Sequence, residues 1–126
     1  MSAVATVLVL LVALLHVGFL VLEMLNILEG FDIKSMGHNS AAYLHALTEA
    51  KRIAFADRAA YLADPDSVPP AVLKTLISKE YATLRRKEID PNRAAEQYKA
   101  GTITNPSTGA PFAGPELAPQ SEQDQN

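Results

Sequence analysis

The sequence predicts an all-α protein: an N-terminal transmembrane helix, a few amphipathic helices after it, and a disordered tail. Three observations carry this prediction. Ala3 to Leu22 is a run of twenty residues without a charge. Apolar residues after it recur at the three-to-four spacing of helices, punctuated by capping residues and prolines. No stretch alternates at the period of two that a half-buried strand requires.

Ala3 to Leu22, AVATVLVLLVALLHVGFLVL, is interrupted only by Thr6, His16 and Gly18. At helical rise such a run covers about 30 Å, the thickness of a bilayer hydrocarbon core. A cleaved signal peptide fits less well. No Lys or Arg precedes the run, the run is long for a signal core, and no small-x-small cleavage site follows. The expected localisation is therefore single-pass membrane. Glu23, Glu29 and Asp32 precede the first lysine, Lys34, so positive charge lies only on the C-terminal side, and the positive-inside rule leans towards a cytoplasmic C-terminal part. His16 and Glu23 share a helix face at a spacing of seven. One His and one Glu make no metal or proton-relay site, and a neutral imidazole bonded to a neighbouring helix is the expectation for His16.

Composition sets the remaining limits. A chain of 126 residues has room for one ordinary domain. It contains no cysteine, which excludes disulfides, thiolate metal sites and a cysteine nucleophile. A net charge of −3 gives no reason to expect nucleic acid as a partner. The expected partner is the lipid bilayer.

The first helix continues at helical spacing through Met24, Ile27 and Leu28 to about Glu29, with Gly30 as a stop. After a short connection, Asn39 to Asp66 has the strongest pattern outside the apolar run. Asn39 or Ser40 caps its start, and Asp64-Pro65 ends it after roughly six turns. Tyr43, Leu47, Ala50, Ala54 and Tyr61 define a docking face, with Ala46 and Ile53 beside them. His45, Glu49 and Arg52 fall opposite and read as a solvated face. His38, His45 and Glu49 do not complete a metal site. Asp57 lies within the docking face, so it is expected to accept hydrogen bonds from a loop or a neighbouring helix end, with Arg58 paired beside it.

Pro69-Pro70 suits a helix start, followed by the short apolar Ala71 to Ile77. Ser78 caps KEYATLRRKEI, with Glu80 early and Arg85, Arg86 and Lys87 late, as the helix dipole favours. The basic triplet reads as a solvated helix end and not as a lipid patch. Asp90-Pro91 opens a further short helix, NRAAEQYKA, closed by Gly101. Residues 102–126 are rich in Pro, Gly, Ser and Gln and are expected to form a disordered tail. Thr102 and Thr104 have neither a neighbouring base nor oxyanion donors, so they do not read as nucleophiles.

The words MLNILEGFD, GHNSA, EAKRIAFADR, YLADPD and SKEYA closely resemble gamma-glutamyltransferase, also called gamma-glutamyl transpeptidase, at the end of its large subunit. The resemblance covers roughly residues 24–101, with residues 1–23 outside it and a junction near Leu22 to Met24. It implies a fragment of an N-terminal-nucleophile hydrolase fold without its central sheet. In that family a threonine freed by self-cleavage attacks a gamma-glutamyl amide such as glutathione, with its own amine as base. The resemblance implies that this threonine and the oxyanion donors lie beyond Asn126, and the carboxylate-binding arginine before Met24. It assigns no catalytic, cofactor-binding or metal-binding residue to this chain. Three functions follow as expectations: a membrane-anchored fragment that is not catalytic alone, a component of a split gamma-glutamyltransferase completed by its missing parts, or a membrane-anchored interaction protein.

Overall fold

The computed structural model describes residues 2–62 and 68–112. The first helix, α1, runs from Ala3 to Leu28 and is capped by Ser2, whose hydroxyl accepts from the Ala5 N–H at 3.2 Å. It has two different halves. Val4 and Leu14 are 70% and 71% exposed, whereas Glu23 and Ile27 are buried. The helix thus begins outside the protein and ends in its core.

The end of α1 is held by a second helix. Arg86 Nε donates to Ile27 O at 2.7 Å and Nη2 donates to Asn26 O at 2.8 Å, satisfying carbonyls that a helix C-terminus leaves unpaired. Gly30, read from sequence as a helix stop, serves this contact. A Cβ there would fall 1.9 Å from the Arg86 guanidinium carbon. Its small size, and no left-handed backbone, is what the site uses. Lys79 joins Glu29 and the Asn26 amide at the same corner.

A four-residue helix, α2 (Ile33–Met36), follows, capped by Asp32. The long helix α3 spans Ala41–Tyr61 and is capped by Ser40, which accepts from the Tyr43 N–H at 3.1 Å. The expected Asp64-Pro65 terminus lies outside the described residues. Two further helices, α4 (Pro70–Leu76) and α5 (Lys79–Arg86), start at the proline and serine caps that the sequence indicates.

α1 packs on α3 and α5 through its C-terminal half. Ile27, Ala50, Ile53, Ala82, Ile89 and Tyr98 form one buried cluster. Leu62, Val72, Leu76, Tyr81 and Ile103 form a second, with Phe19 of α1 against it. Among the described residues there is no strand, only an isolated bridge between Thr104 and Pro111.

Two expectations are corrected. Residues 91–101 are irregular and not helical. Their backbone groups bond to side chains of α3 and α5, and those bonds replace the local ladder that a short Ala-containing helix would offer. Residues 102–112 do not begin a disordered tail. Phe112 N donates to Ile103 O at 2.8 Å, Asn105 N to Ala110 O at 2.8 Å, and Ile103 is buried. The rest of the expected tail, 113–126, lies outside the described residues.

Candidate functional site

Polar groups spaced three to five residues apart along α3 bind successive residues of the irregular segment. His45 Nε2 donates to Asp90 O at 2.7 Å. Glu49 Oε2 accepts from the Ala95 N–H at 3.0 Å and from the Tyr98 hydroxyl at 2.7 Å. Arg52 donates to Ala95 O at 2.7 Å and to Glu96 O at 2.9 Å. Asp57 Oδ1 accepts from the Gly101 N–H at 2.7 Å. Tyr61 donates its hydroxyl hydrogen to Gly101 O at 2.6 Å, and the same oxygen accepts from the Ile103 N–H at 3.3 Å. Four turns of helix thereby lace the chain from Asp90 to Ile103 along α3, in the same direction. A segment whose backbone would otherwise lack partners is ordered by side chains fixed on a rigid element.

This overturns the reading of His45, Glu49 and Arg52 as a solvated face. Glu49 is 1% exposed. Burial pushes its carboxyl up, but the Ala95 N–H, the Tyr98 hydroxyl and Arg52 outweigh it and hold the carboxyl below the usual range. Burial pushes the Tyr98 hydroxyl up, and its bond to Glu49 and the Glu49 charge add to the rise while Arg52 opposes it. Arg52 also lies over the Tyr98 ring, 5.4 Å from its centroid.

The second carboxylate of the helix is Asp57, fully buried. Besides Gly101 N–H, it accepts from Arg85 Nε at 3.0 Å, Arg85 Nη2 at 3.2 Å and the Tyr81 hydroxyl at 2.9 Å. Arg85 is buried too, and donates from Nη2 to Lys99 O at 2.8 Å and from Nη1 to Glu88. Burial works against the Arg85 charge, yet Asp57 raises its affinity for the proton above the usual value. Burial and the Asp57 charge push the Tyr81 hydroxyl up. Arg58, expected beside Asp57, is exposed, and the guanidinium that meets Asp57 comes from α5. Gly101 is needed at this junction, because a Cβ would lie 2.2 Å from the Tyr81 hydroxyl oxygen.

The other candidates sit apart. Thr102 and Thr104 are exposed. No group of three or more His, Asp or Glu residues is placed to hold a metal among the described residues. His16 bonds within its own helix, Nδ1 donating to Val12 O at 2.6 Å, and not to a neighbouring helix. Glu49 and Arg85 were read from the sequence as solvated groups, and Tyr81 and Tyr98 were not singled out.

Fold and site together define a helical module whose buried charges serve to hold chain in place. The chain belongs to the gamma-glutamyltranspeptidase family, whose model matches residues 3–118. That range takes in α1, so the family boundary expected near residue 24 does not coincide with the start of the match. A glutathione hydrolase proenzyme of Pseudomonas sp. (strain A14) is 41% identical over 86 residues, 67% of this chain and 15% of the relative. An Acylase ACY 1 proenzyme of Pseudomonas sp. (strain SE83) is 49% identical over 84 residues, again 67% of this chain and 15% of the relative. The crystal structure of Helicobacter pylori gamma-glutamyltranspeptidase superposes with a TM-score of 0.58 and 31% identity, over 65% of this chain and 24% of that one. The chain thus spans about 15% of the length of these curated relatives.

Proposed function

We propose that this chain is a scaffold segment of a gamma-glutamyltranspeptidase-type hydrolase, anchored in a membrane by α1 and without catalysis of its own. The observation that carries this reading is how the buried carboxylates are used. Glu49 and Asp57 accept from backbone N–H groups, tyrosine hydroxyls and guanidinium groups that hold the 90–103 segment. A carboxylate acting as general base needs a lone pair facing substrate. These two face structural donors instead. The helices fit descent from an N-terminal-nucleophile hydrolase fold.

The membrane part of the reading rests on α1. It is 26 residues long and has a mean hydropathy of 2.8 over its most apolar window. Most of its aliphatic side chains up to Leu22 are exposed and call for an apolar surrounding. The span assigned to lipid is 3–22, and the helix beyond it docks on the core.

Purified full-length chain in detergent, given a fluorogenic gamma-glutamyl amide, is expected to show no turnover. Turnover by the chain alone overturns the scaffold reading. Turnover only after addition of chains supplying the remaining family segments establishes it as a component of a split enzyme acting on gamma-glutamyl amides. Retention in carbonate-washed membranes is expected of the anchor, and release into the soluble fraction removes it.

A further inference from the structure

The turn at 104–112 and the start of α4 take no part in the lacing along α3. Both lie where α1 leaves the core. Phe19 of α1 packs on the cluster of Leu62, Val72, Leu76, Tyr81 and Ile103, and Val68, Leu73 and Phe112 pack on the same cluster while staying partly exposed. Phe19 belongs to the stretch read as lipid-facing, three residues before its end at Leu22, or about 4.5 Å along the helix axis. The far end of α4 is pinned on the core side of that point, because Asn26 Nδ2 donates to Ile77 O at 2.8 Å. The two segments therefore border the last turn of the apolar stretch.

Their surface differs from the rest of the chain. Lys74 is the single charged residue in 68–78 and 101–112, although 20% of the chain is charged. These segments are not short of exposure: Pro69, Pro70, Lys74, Thr104 and residues 106–111 are all exposed. A surface that faces water carries about 25–35% Lys, Arg, Asp and Glu. The turn also spends its backbone donors on itself. Asn105 N donates to Ala110 O, Gly109 N to Asn105 O and Phe112 N to Ile103 O, each at 2.8 Å. Ser107 N donates to Asn105 Oδ1 at 2.9 Å and Ala110 N to Thr108 Oγ1 at 3.3 Å, while Pro106 and Pro111 have no N–H to satisfy. A turn closed in this way leaves bulk water at little cost. Asp66 and Glu116, the nearest acids in sequence, lie outside the described residues.

We propose that Val68 to Leu73 and the 104–112 turn form an uncharged collar around the end of α1, and that this collar seats on a lipid bilayer at the headgroup boundary. The inference rests on the lipid reading of α1 and extends that contact onto the core. Apolar surface at such a boundary enters by about 5–10 Å, and Val68, Leu73 and Phe112 supply it. Lys74 keeps its ammonium at the phosphates by extending its alkyl stem along the surface. One cation is too few to select anionic headgroups, so zwitterionic lipid is the appropriate probe.

The chain has no tryptophan, so a single introduced one reports its own surroundings. Four full-length variants are reconstituted into phosphatidylcholine vesicles: Ala110→Trp and Phe112→Trp in the collar, Leu14→Trp in the apolar stretch, and Leu84→Trp on the exposed side of α5. Lipids brominated high on the acyl chain quench at the boundary, and lipids brominated near its end quench at the depth of Leu14. Ala110→Trp and Phe112→Trp are expected to lose a larger share of their emission to the first set than Leu84→Trp does. If the collar variants are quenched no more than Leu84→Trp while Leu14→Trp is quenched, the collar is overturned and the anchor stands. Blue-shifted collar emission without quenching means that protein covers this edge, whether a second copy or a missing family segment, and overturns the collar too. If Leu14→Trp itself escapes quenching, the lipid reading of α1 falls and the collar falls with it. Ala110 is exposed, so its variant keeps the test decisive if Phe112→Trp does not fold.

Discussion

Replacing Asp57 by alanine removes the acceptor on which α3, α5 and the laced segment converge. Arg85, whose side chain is 4% exposed, then loses its buried carboxylate and keeps only the half-exposed Glu88 and Lys99 O. Breaking a buried pair from one side costs about 3–5 kcal/mol, because the remaining charge is uncompensated. The Gly101 N–H and the Tyr81 hydroxyl also lose their acceptor, at about 1–3 kcal/mol for each group left unsatisfied. These costs overlap, since the site can relax and admit water. A loss of about 4 kcal/mol is a conservative expectation, against total stabilities of about 5–15 kcal/mol for ordinary domains. Asp57→Asn keeps an oxygen for Gly101 but loses the charge, and should fall between. Arg85→Met in the Asp57→Ala background removes the stranded charge, so the pair of substitutions should cost less than the sum of the two singles by about 1–3 kcal/mol. Urea unfolding of the full-length chain in micelles, followed by far-UV circular dichroism, measures all four. If Asp57→Ala and Asp57→Asn both leave the midpoint where it was, the convergence on Asp57 does not stabilise the fold and the reasoning fails.

Three further perturbations address other parts of the site. Gly101→Ala places a Cβ 2.2 Å from the Tyr81 hydroxyl oxygen and 2.9 Å from Arg85 Cδ. It should cost about 1–3 kcal/mol by forcing the hydroxyl off Asp57, and adding Tyr81→Phe should recover part of the lost thermal midpoint. Tyr98→Phe deletes one hydrogen bond to Glu49 and should cost about 1 kcal/mol; amide exchange at Ala95 should quicken with it, and unchanged exchange would mean that Glu49 holds the segment without the tyrosine. Glu49 is held below its usual range when folded, so its contribution is present above the unfolded value of 4.5 and lost as pH falls through the lower folded value. Acid titration of wild type and Glu49→Gln should show a shallower acid loss in the variant.

Much of the helical framework is legible in the sequence because helix ends are local chemistry. Ser40, Ser78 and Pro70 do their work within one turn, and each stands where the structure starts a helix. The lacing was not legible, because each of its bonds joins α3 to residues about forty positions away, and no local pattern records that. Glu49 shows where the signal was. It lies four residues before Ile53 and eight before Asp57, so Ile53 sits between the two acids on one strip of helix. Once Asp57 is assigned to the docking face, Glu49 lies only about 80° around the helix from it. The polar character of Glu49 outweighed its position. The predicted helix at 91–101 failed for the complementary reason. Its alanines favour a helix only weakly over so few residues, and α3 offers the backbone better-placed partners.

The continuity of α1 joins the two halves of the problem. Half-buried and buried positions follow one stripe down the helix, from Val12 through His16, Phe19 and Glu23 to Ile27. Their spacing of three to four is a single face. The docked end, fixed by Arg86 and by Phe19 against the second core cluster, therefore sets the rotation of the whole rod. His16 must then face the same side as Glu23, and the remaining circumference is left to Val, Leu and Ala. His16 satisfies its Nδ1–H on Val12 O within the helix, so it needs no second helix beside it to be tolerated in an apolar surrounding. The rotation of the apolar stretch is thus set from its docked end, by the side of the core on which α1 comes to rest.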